Sequence, residues 1–278
     1  MKLSEMLNFD VKGTTEELSY FIKNSVERFN GKGIIIGLSG GLDSACVCDP
    51  KSEEDAIIVA NQYGVRTKTI NITPVLEAFR IYDILPQKIF SRRDKVAKLV
   101  KIGYSLFPKT HSPFIGGFKG TKFGFQRRLQ AYYRIKHRVR MAYLYYYGEQ
   151  LNYLVAGTSN RTEFLTGFFV KHGDGAADLM PIINLYKTQV RKLSEFIGVP
   201  KCIIEKAPIP DLIPGLEDEN VMGISYEKLD LILAGLTNDK SVQEIIAEMD
   251  ISGKTVKYVE NIIDLSEGLR SPPKSPNA

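Results

Sequence analysis

Three cysteines in 278 residues are too few for a disulfide framework, and Cys46, Cys48 and Cys202 include no Cys-x-x-Cys pair. A chain of this kind is expected in a reducing, cytoplasmic compartment, with Cys46 and Cys48 as buried thiols. No apolar run approaches the length needed to cross a bilayer, and Met1-Lys2-Leu3-Ser4-Glu5 lacks the apolar core of a signal peptide, so no membrane association is expected. No Gly-Lys-Ser/Thr follows the glycine-rich turn at Gly40-Gly41, so that turn is not a Walker loop. Acidic residues are scarce in one stretch: from Lys88 to Arg140 only Asp94 opposes a long series of Lys and Arg. Such a field suits a polyphosphate ligand, with nucleic acid as the alternative. What remains is ordinary for a soluble globular protein: 44% hydrophobic residues, 25% charged and a net charge of +5. No repeat or clear linker precedes Arg270-Ser271-Pro272-Pro273, so residues 1–278 are expected to form a single domain.

The most informative stretch is Gly33-Ile34-Ile35-Ile36 followed by Gly37-Leu38-Ser39-Gly40-Gly41-Leu42-Asp43-Ser44. A short β-branched run closing into Ser-Gly-Gly-x-Asp-Ser predicts a buried strand feeding a phosphate-cradling turn. Adjacent glycines let bare backbone N–H groups approach an anion. Ser39 and Ser44 add hydroxyl donors, and Asp43 offers a hard oxygen ligand for Mg²⁺. The bland alternative is a glycine-rich turn with a serine capping the next helix.

Along the chain, Thr14-x-x-Glu17 reads as a capping box opening a helix that ends near Gly31. A helix from Ser52 is stopped by Gly64, and residues 65–72 alternate like a strand. Residues 86–124, with Gly116-Gly117-Phe118-Lys119-Gly120, read as an irregular excursion. A basic-aromatic helix follows over 126–147, then a buried strand from Leu151 to Ala156 closing into Gly157-Thr158-Ser159-Asn160. Helices recur at 187–197, 225–236, 240–249 and 254–267. The alternation predicts an α/β fold, a doubly wound and mostly parallel sheet with a helical C-terminal region.

Five further strings narrow the reading. Gly157 to Glu163 reads Gly-Thr-Ser-Asn-Arg-Thr-Glu, and Gly167 to Asp178 reads Gly-Phe-Phe-Val-Lys-His-Gly-Asp-Gly-Ala-Ala-Asp. Leu185-Tyr186-Lys187-Thr188-Gln189-Val190 follows, with Lys136-His137-Arg138-Val139-Arg140-Met141 upstream and Gly223-Ile224-Ser225-Tyr226-Glu227-Lys228-Leu229-Asp230 downstream. The loop 37–44 resembles that of the ATP-pyrophosphatase enzymes, and these strings resemble the NAD⁺ synthetase family over most of the chain. The resemblance implies a Rossmann-like adenine nucleotide alpha hydrolase fold and an ammonia-dependent ligase. Its substrates would be deamido-NAD (nicotinic acid adenine dinucleotide), ATP and ammonia, joined through an acyl adenylate. No amidase domain of a glutamine-dependent form is expected within these 278 residues.

Carried over residue by residue, the resemblance implies that Gly37, Leu38, Ser39, Gly40, Gly41, Leu42, Asp43, Ser44, Thr158 and Lys187 contact ATP. Asp43 and Glu163 would hold Mg²⁺. Arg138, Lys171 and Asp178 would hold deamido-NAD, and Asp43, Asp174 and Lys187 would serve the chemistry. The bland readings stand beside these: solvated helix faces for Glu163 and Asp178, a turn former for Asp174, ordinary surface residues for His111 and His172. The family is also expected to form two-fold dimers, here through the helix bearing Tyr143-Leu144-Tyr145-Tyr146-Tyr147, without nucleic acid or membrane partners.

Three departures stand out. Ala45-Cys46-Val47-Cys48 runs straight into Asp49-Pro50, so a unit of roughly twenty residues, one helix plus one strand, is absent after Ser44. A shortened crossover would pair residues 65–72 directly with 33–38, whereas a longer natural connection would leave them one strand-width further out, beside an empty slot. Ile209 stands where the family has Ser or Thr, and Gly268-Leu269 where it tends to carry His-Lys. These departures keep two alternatives in play: an amide ligase for another carboxylate, and a non-catalytic nucleotide-binding relative.

Overall fold

The computed structural model describes residues 1–38, 50–84, 113–119, 124–206 and 217–272. Helices α1 (Leu3–Met6) and α2 (Val11–Arg28) lead into strand β1 (Gly33–Ile35). Then come α3 (Pro50–Gln62), α4 (Thr73–Ala78), a 3-10 turn at Ile81–Ile84, α5 (Pro113–Lys119) and the long α6 (Gly124–Leu151). Strand β2 (Tyr153–Val155) is followed by α7 (Arg161–Thr166), α8 (Lys187–Phe196) and α9 (Lys201–Ile204). The chain continues through α10 (Asp218–Met222), α11 (Tyr226–Thr237), α12 (Val242–Met249) and α13 (Gly253–Arg270).

Among the described residues the sheet is a parallel pair, with Gly33 opposite Tyr153, Ile34 opposite Leu154 and Ile35 opposite Val155. Its register is set before the strands begin. The Asn152 side chain donates to the Asn30 carbonyl at 2.9 Å, and Lys32 N–H donates to the Asn152 carbonyl at 2.7 Å. Both asparagines sit at positive φ, a conformation that a short polar side chain tolerates. A parallel bridge from Ala156 to Leu179 lines the other edge of β2. Helix α6 lies close on the pair at Gly148, where a Cβ would stand 3.0 Å from the Tyr153 carbonyl.

The core belongs to the C-terminal helices. Tyr226, Leu229, Ile232 and Leu233 of α11 are wholly buried with Ile245 of α12 and Val256 and Val259 of α13. Helix α11 touches α1, α7, α8, α12 and α13, so it is apolar around most of its circumference. Burial of its side chains is the main source of stability in this half of the chain.

Three local expectations are corrected. Helix α2 is capped by Asp10, whose carboxylate accepts the Gly13 N–H at 3.1 Å, and Thr14 lies inside the helix. Residues 113–119 form a helix rather than a loop: Ile115 is 2% exposed, and Phe114 packs edge-on against Phe118 and Phe168. Residues 65–72 join no ladder, and the pairing with 33–38 is not formed. Val65 is 53% exposed, and alternation makes a strand only where one face has something to cover it. The other helices that the sequence predicts fall within a few residues of their expected bounds, the short helices α1, α4, α7, α9 and α10 were not foreseen, and Cys46, Cys48, His111 and Ile209 lie outside the described residues.

The helical half is also pinned from outside. The Glu248 carboxylate accepts the Leu3 N–H at 2.8 Å and pairs with Lys240, and the Lys240 and Leu3 hydrogen bonds hold it below the usual carboxylate range. A lowered folded pKa means that its contribution is present above the unfolded value and lost as pH falls through the folded one. Urea unfolding between neutral pH and about pH 3 should therefore show a shallower acid limb in Glu248→Gln than in the parent, and equal limbs would remove Glu248 from the account.

Candidate active site

Because β1 and β2 run parallel and in register, the chain leaves both at the same end of the sheet, where open α/β sheets bind ligands. Gly37 and Leu38 follow β1 there, and Gly157-Thr158-Ser159-Asn160 follows β2. Ser39, Gly40, Gly41, Leu42, Asp43 and Ser44 lie outside the described residues. Gly157 is glycine for a packing reason: a Cβ would stand 2.8 Å from Ala177 Cβ and 3.3 Å from Met180 Cγ. Thr158 is half-buried in this loop.

Asn160 ends the loop by capping α7. Its side-chain oxygen accepts the Glu163 N–H at 3.0 Å, and Glu163 Oε2 accepts the Asn160 N–H at 3.4 Å, a reciprocal capping box. That box leaves Glu163 Oε1 facing Lys187 Nζ at 3.4 Å, with the two side chains 16% and 3% exposed. Lys187 is the first residue of α8, so its place depends on how α7 and α8 meet. Arg161 N–H donates to the Leu185 carbonyl at 2.8 Å, and Lys187 N–H to Thr162 Oγ1 at 2.9 Å.

The surroundings of this pair are acidic. Tyr226 O–H donates to Asp218 Oδ2 at 2.9 Å, and the Lys187 ammonium lies 5.3 Å from the centre of the Tyr226 ring. Asp230, wholly buried on α11, accepts from Thr162 and Thr188. Burial brings the Lys187 ammonium down to about 8, against the pull of Asp218 and Asp230. Burial and then the charge of Asp218 drive Glu163 well above the usual carboxylate range, and burial also raises Asp218 and Asp230. The carboxyls of Glu163, Asp218 and Asp230, among the described residues, thus lie around the buried Lys187 ammonium, an arrangement that fits a hard divalent cation at Glu163. Among the described residues no three candidate ligands gather at one point, and the expected partner Asp43 lies outside them.

The remaining candidates sit nearer the surface. Asp174 Oδ1 accepts the Val170 N–H at 2.9 Å and lies 3.2 Å from Nδ1 of the buried His137. Arg138 Nε donates to the Lys171 carbonyl at 3.3 Å. Lys171 Nζ donates to the carbonyls of Gly268 and Ser271 at 3.2 and 2.9 Å, at the end of α13. Lys171 also lines a cleft of about 370 Å³ with Ser159, Met180, Leu269 and the stacked rings of Phe164 and Phe169. Asp178 is engaged elsewhere: its carboxylate accepts the Val155 N–H at 2.8 Å and the Tyr145 phenol. His172 is exposed, as the bland reading had it.

The structure therefore joins Glu163 to Lys187 and Arg138 to Lys171, and sets Asp178 against β2. Sequence reasoning assigned no role to Thr162, His137, Asp218, Tyr226 or Asp230. The one available signal was Asp230 itself, an acid between Leu229 and Leu231-Ile232-Leu233 where the helical pattern calls for an apolar residue. The tight approach at Gly157 carries its own test: Gly157→Ala should lower the unfolding free energy by about 1–3 kcal/mol in urea, and an unchanged midpoint would show that Ala177 gives way freely.

Comparison with known proteins places this geometry in a family. Residues 14–49 and 115–273 match the profile of the NAD synthase family. The NH(3)-dependent NAD(+) synthetase of Thermotoga maritima is 37% identical over 279 residues, covering 92% of this chain and 96% of that protein. That of Thermococcus kodakarensis is 35% identical over 292 residues, covering 98% and 99%. The latter alignment leaves about 20 positions without a residue of this chain, the size of the helix-plus-strand unit expected to be absent after Ser44. Among solved structures, an NMN synthetase from Francisella tularensis superposes with a TM-score of 0.70 at 26% identity over 98% of this chain and 100% of that one. An NH3-dependent NAD synthetase from Campylobacter jejuni gives 0.66 at 22% identity over 96% and 99%, and so shares the α/β fold. The chain belongs to the NAD synthase family.

Proposed function

We propose that this protein is an ammonia-dependent NAD⁺ synthetase, amidating deamido-NAD at the expense of ATP. The observation that carries the reading is the buried Lys187–Glu163 pair at the carboxyl end of the parallel strands, in a chain of this family. A nicotinate carboxylate is a poor acyl donor, so one of its oxygens attacks the α-phosphorus of ATP. A new O–P bond forms, the bond to the β-phosphate breaks, and pyrophosphate leaves with the electron pair. Ammonia then adds to the acyl carbon, AMP leaves, and one proton is lost from nitrogen. The first step brings an anionic carboxylate to anionic ATP, and charge grows on the leaving pyrophosphate, so the enzyme's task is largely electrostatic.

In this reading Gly37, Leu38 and Thr158 border the triphosphate with residues 39–44, and Lys187 holds it as a point charge. Glu163 and Asp43 would hold Mg²⁺, which when bound supplies the positive charge that a triphosphate needs beside so many carboxylates. Arg138 and Lys171 hold the anionic dinucleotide along the cleft, with Phe164 and Phe169 offering ring faces, and Asp178 steadies the loop beside it. Asp174, whose carboxylate is held by Val170 and His137, would accept the proton in this reading. The protein acts in the cytoplasm as one domain per chain. Two chains associate through α6, where Tyr146 is 54% exposed.

The resemblance to an NMN synthetase supports one second reading, a mononucleotide as the acceptor carboxylate. Purified protein given ATP, Mg²⁺ and ammonium should release AMP and pyrophosphate with deamido-NAD in preference to nicotinic acid mononucleotide. The reverse preference would establish the second reading, and ATP binding without pyrophosphate release would leave only a nucleotide-binding relative. Lys187→Met should raise the KM for ATP about ten- to hundredfold, the worth of a charge-assisted contact. An unchanged KM would take Lys187 out of the ATP site.

A further inference from the structure

Resting on that assignment of Lys187 and Glu163 to ATP, we propose that Asp230 is a positioning residue: from α11 it fixes where the helix starts bearing those two side chains stand relative to each other. Thr162 precedes Glu163, and Thr188 follows Lys187. Thr162 Oγ1 donates to Asp230 Oδ1 at 2.5 Å, while Thr188 donates to Oδ2 through its N–H at 2.8 Å and through its hydroxyl at 2.7 Å. One carboxylate thus spans α7 and α8, one oxygen to each.

The polarity of these bonds leaves little choice of residue. A hydroxyl carries a single proton, and Thr162 Oγ1 already accepts the Lys187 N–H at 2.9 Å, so its own proton must go to an acceptor. Thr188 presents two donors to the other side. Asp230 must therefore accept on both oxygens, which a carboxylate does and an amide does not. The site is dry: Thr162 and Asp230 are both wholly buried, so water does not substitute for a lost bond. The relay Lys187 N–H to Thr162 to Asp230 sets the first residue of α8 against the first turn of α7. That is the spacing on which the 3.4 Å approach of Lys187 Nζ to Glu163 Oε1 depends.

Asp230→Asn places an NH₂ against at least one of these donors. The expected result is a KM for ATP raised about ten- to hundredfold, the effect of displacing a binding group by roughly an ångström. The KM for deamido-NAD should stay unchanged, because Arg138 and Lys171 are held by other elements. Thr162→Val, which breaks the relay from its middle, should raise the ATP KM in the same way, and Thr162→Ser, which keeps the hydroxyl, should restore it. The double variant Asp230→Asn/Lys187→Met should be no worse for ATP than Lys187→Met alone. Equal rises in both KM values, failure of Thr162→Ser to restore, or additivity in the double variant would each overturn the positioning role. The Thr162 pair carries the test if Asp230→Asn does not fold. If Lys187→Met leaves the ATP KM unchanged, the assignment to ATP fails first, and that outcome is read independently of Asp230.

Discussion

A carboxylate with no access to water, set in the buried core helix α11, is the constraint around which this structure is arranged. Burying Asp230 unpaired would cost several kcal/mol, so its two oxygens must be met by donors, and the donors come from the starts of two other helices. The core and the candidate site are consequently one construction. Leu229, Ile232 and Leu233 hold α11 in place by burial, and Asp230, on the same helix, ties α7 and α8 to it. Glu163 and Lys187 then lie at the ends of elements that the core itself locates. The ion pair gains little on its own account, since burial disfavours both charged forms. Its value is geometric.

How much of this was legible in the sequence follows from what each element depends on. Helices with a wide apolar stripe and a strong start signal, such as α8 and α12, were placed within a residue or two, because periodicity and capping are local. The capping box at Asn160 and Glu163 was present in the string Gly157 to Glu163, and the parallel pair was foreshadowed by a β-branched run at 33–36 and a second strand-like run at 151–156, each closing into a polar turn. Residues 65–72 misled because alternation is necessary for a half-buried strand but does not supply the neighbour that buries it. Residues 113–119 misled in the opposite sense. Two glycines argued for a loop, yet Phe114, Ile115 and Phe118 have an aromatic surface to pack on, and tertiary contact outweighed propensity.

In the site, residue types with one chemical use were readable, while those whose use depends on a partner were not. Lys187 and Glu163 could be named as candidates because a motif carries them. Thr162, Asp218, Tyr226 and His137 have roles only through atoms brought from distant parts of the chain, 68 residues apart in the case of Thr162 and Asp230. Asp178 shows the converse. Its motif marks it as a substrate group, yet its carboxylate completes the hydrogen bonding of β2 and meets the Tyr145 phenol, so any contact with a dinucleotide is shared with a structural duty.

The two ends of the site differ in electrostatic character, and the difference suits two unlike substrates. Around Lys187 the carboxylates of Glu163, Asp218 and Asp230 crowd a dry space, which favours a ligand arriving with its own divalent cation and disfavours a bare anion. Around the cleft the charge is reversed: Lys171 and Arg270 line it with stacked aromatic rings and Leu269, and Arg138 donates to the Lys171 carbonyl, a surface suited to a flat ring carrying phosphates. Gly167 joins these ends. It caps α7 in the left-handed conformation, and a Cβ there would lie 2.5 Å from Ser266 Cβ and 3.0 Å from the Phe118 ring. Ser266 in turn donates to the Leu165 carbonyl at 2.9 Å, which fixes α13 against α7. The helix that carries the acidic end is thereby seated on the helix whose last residues hold Lys171. The separation between the acidic end and the basic cleft is thus set by packing that no side chain larger than glycine at position 167 would allow.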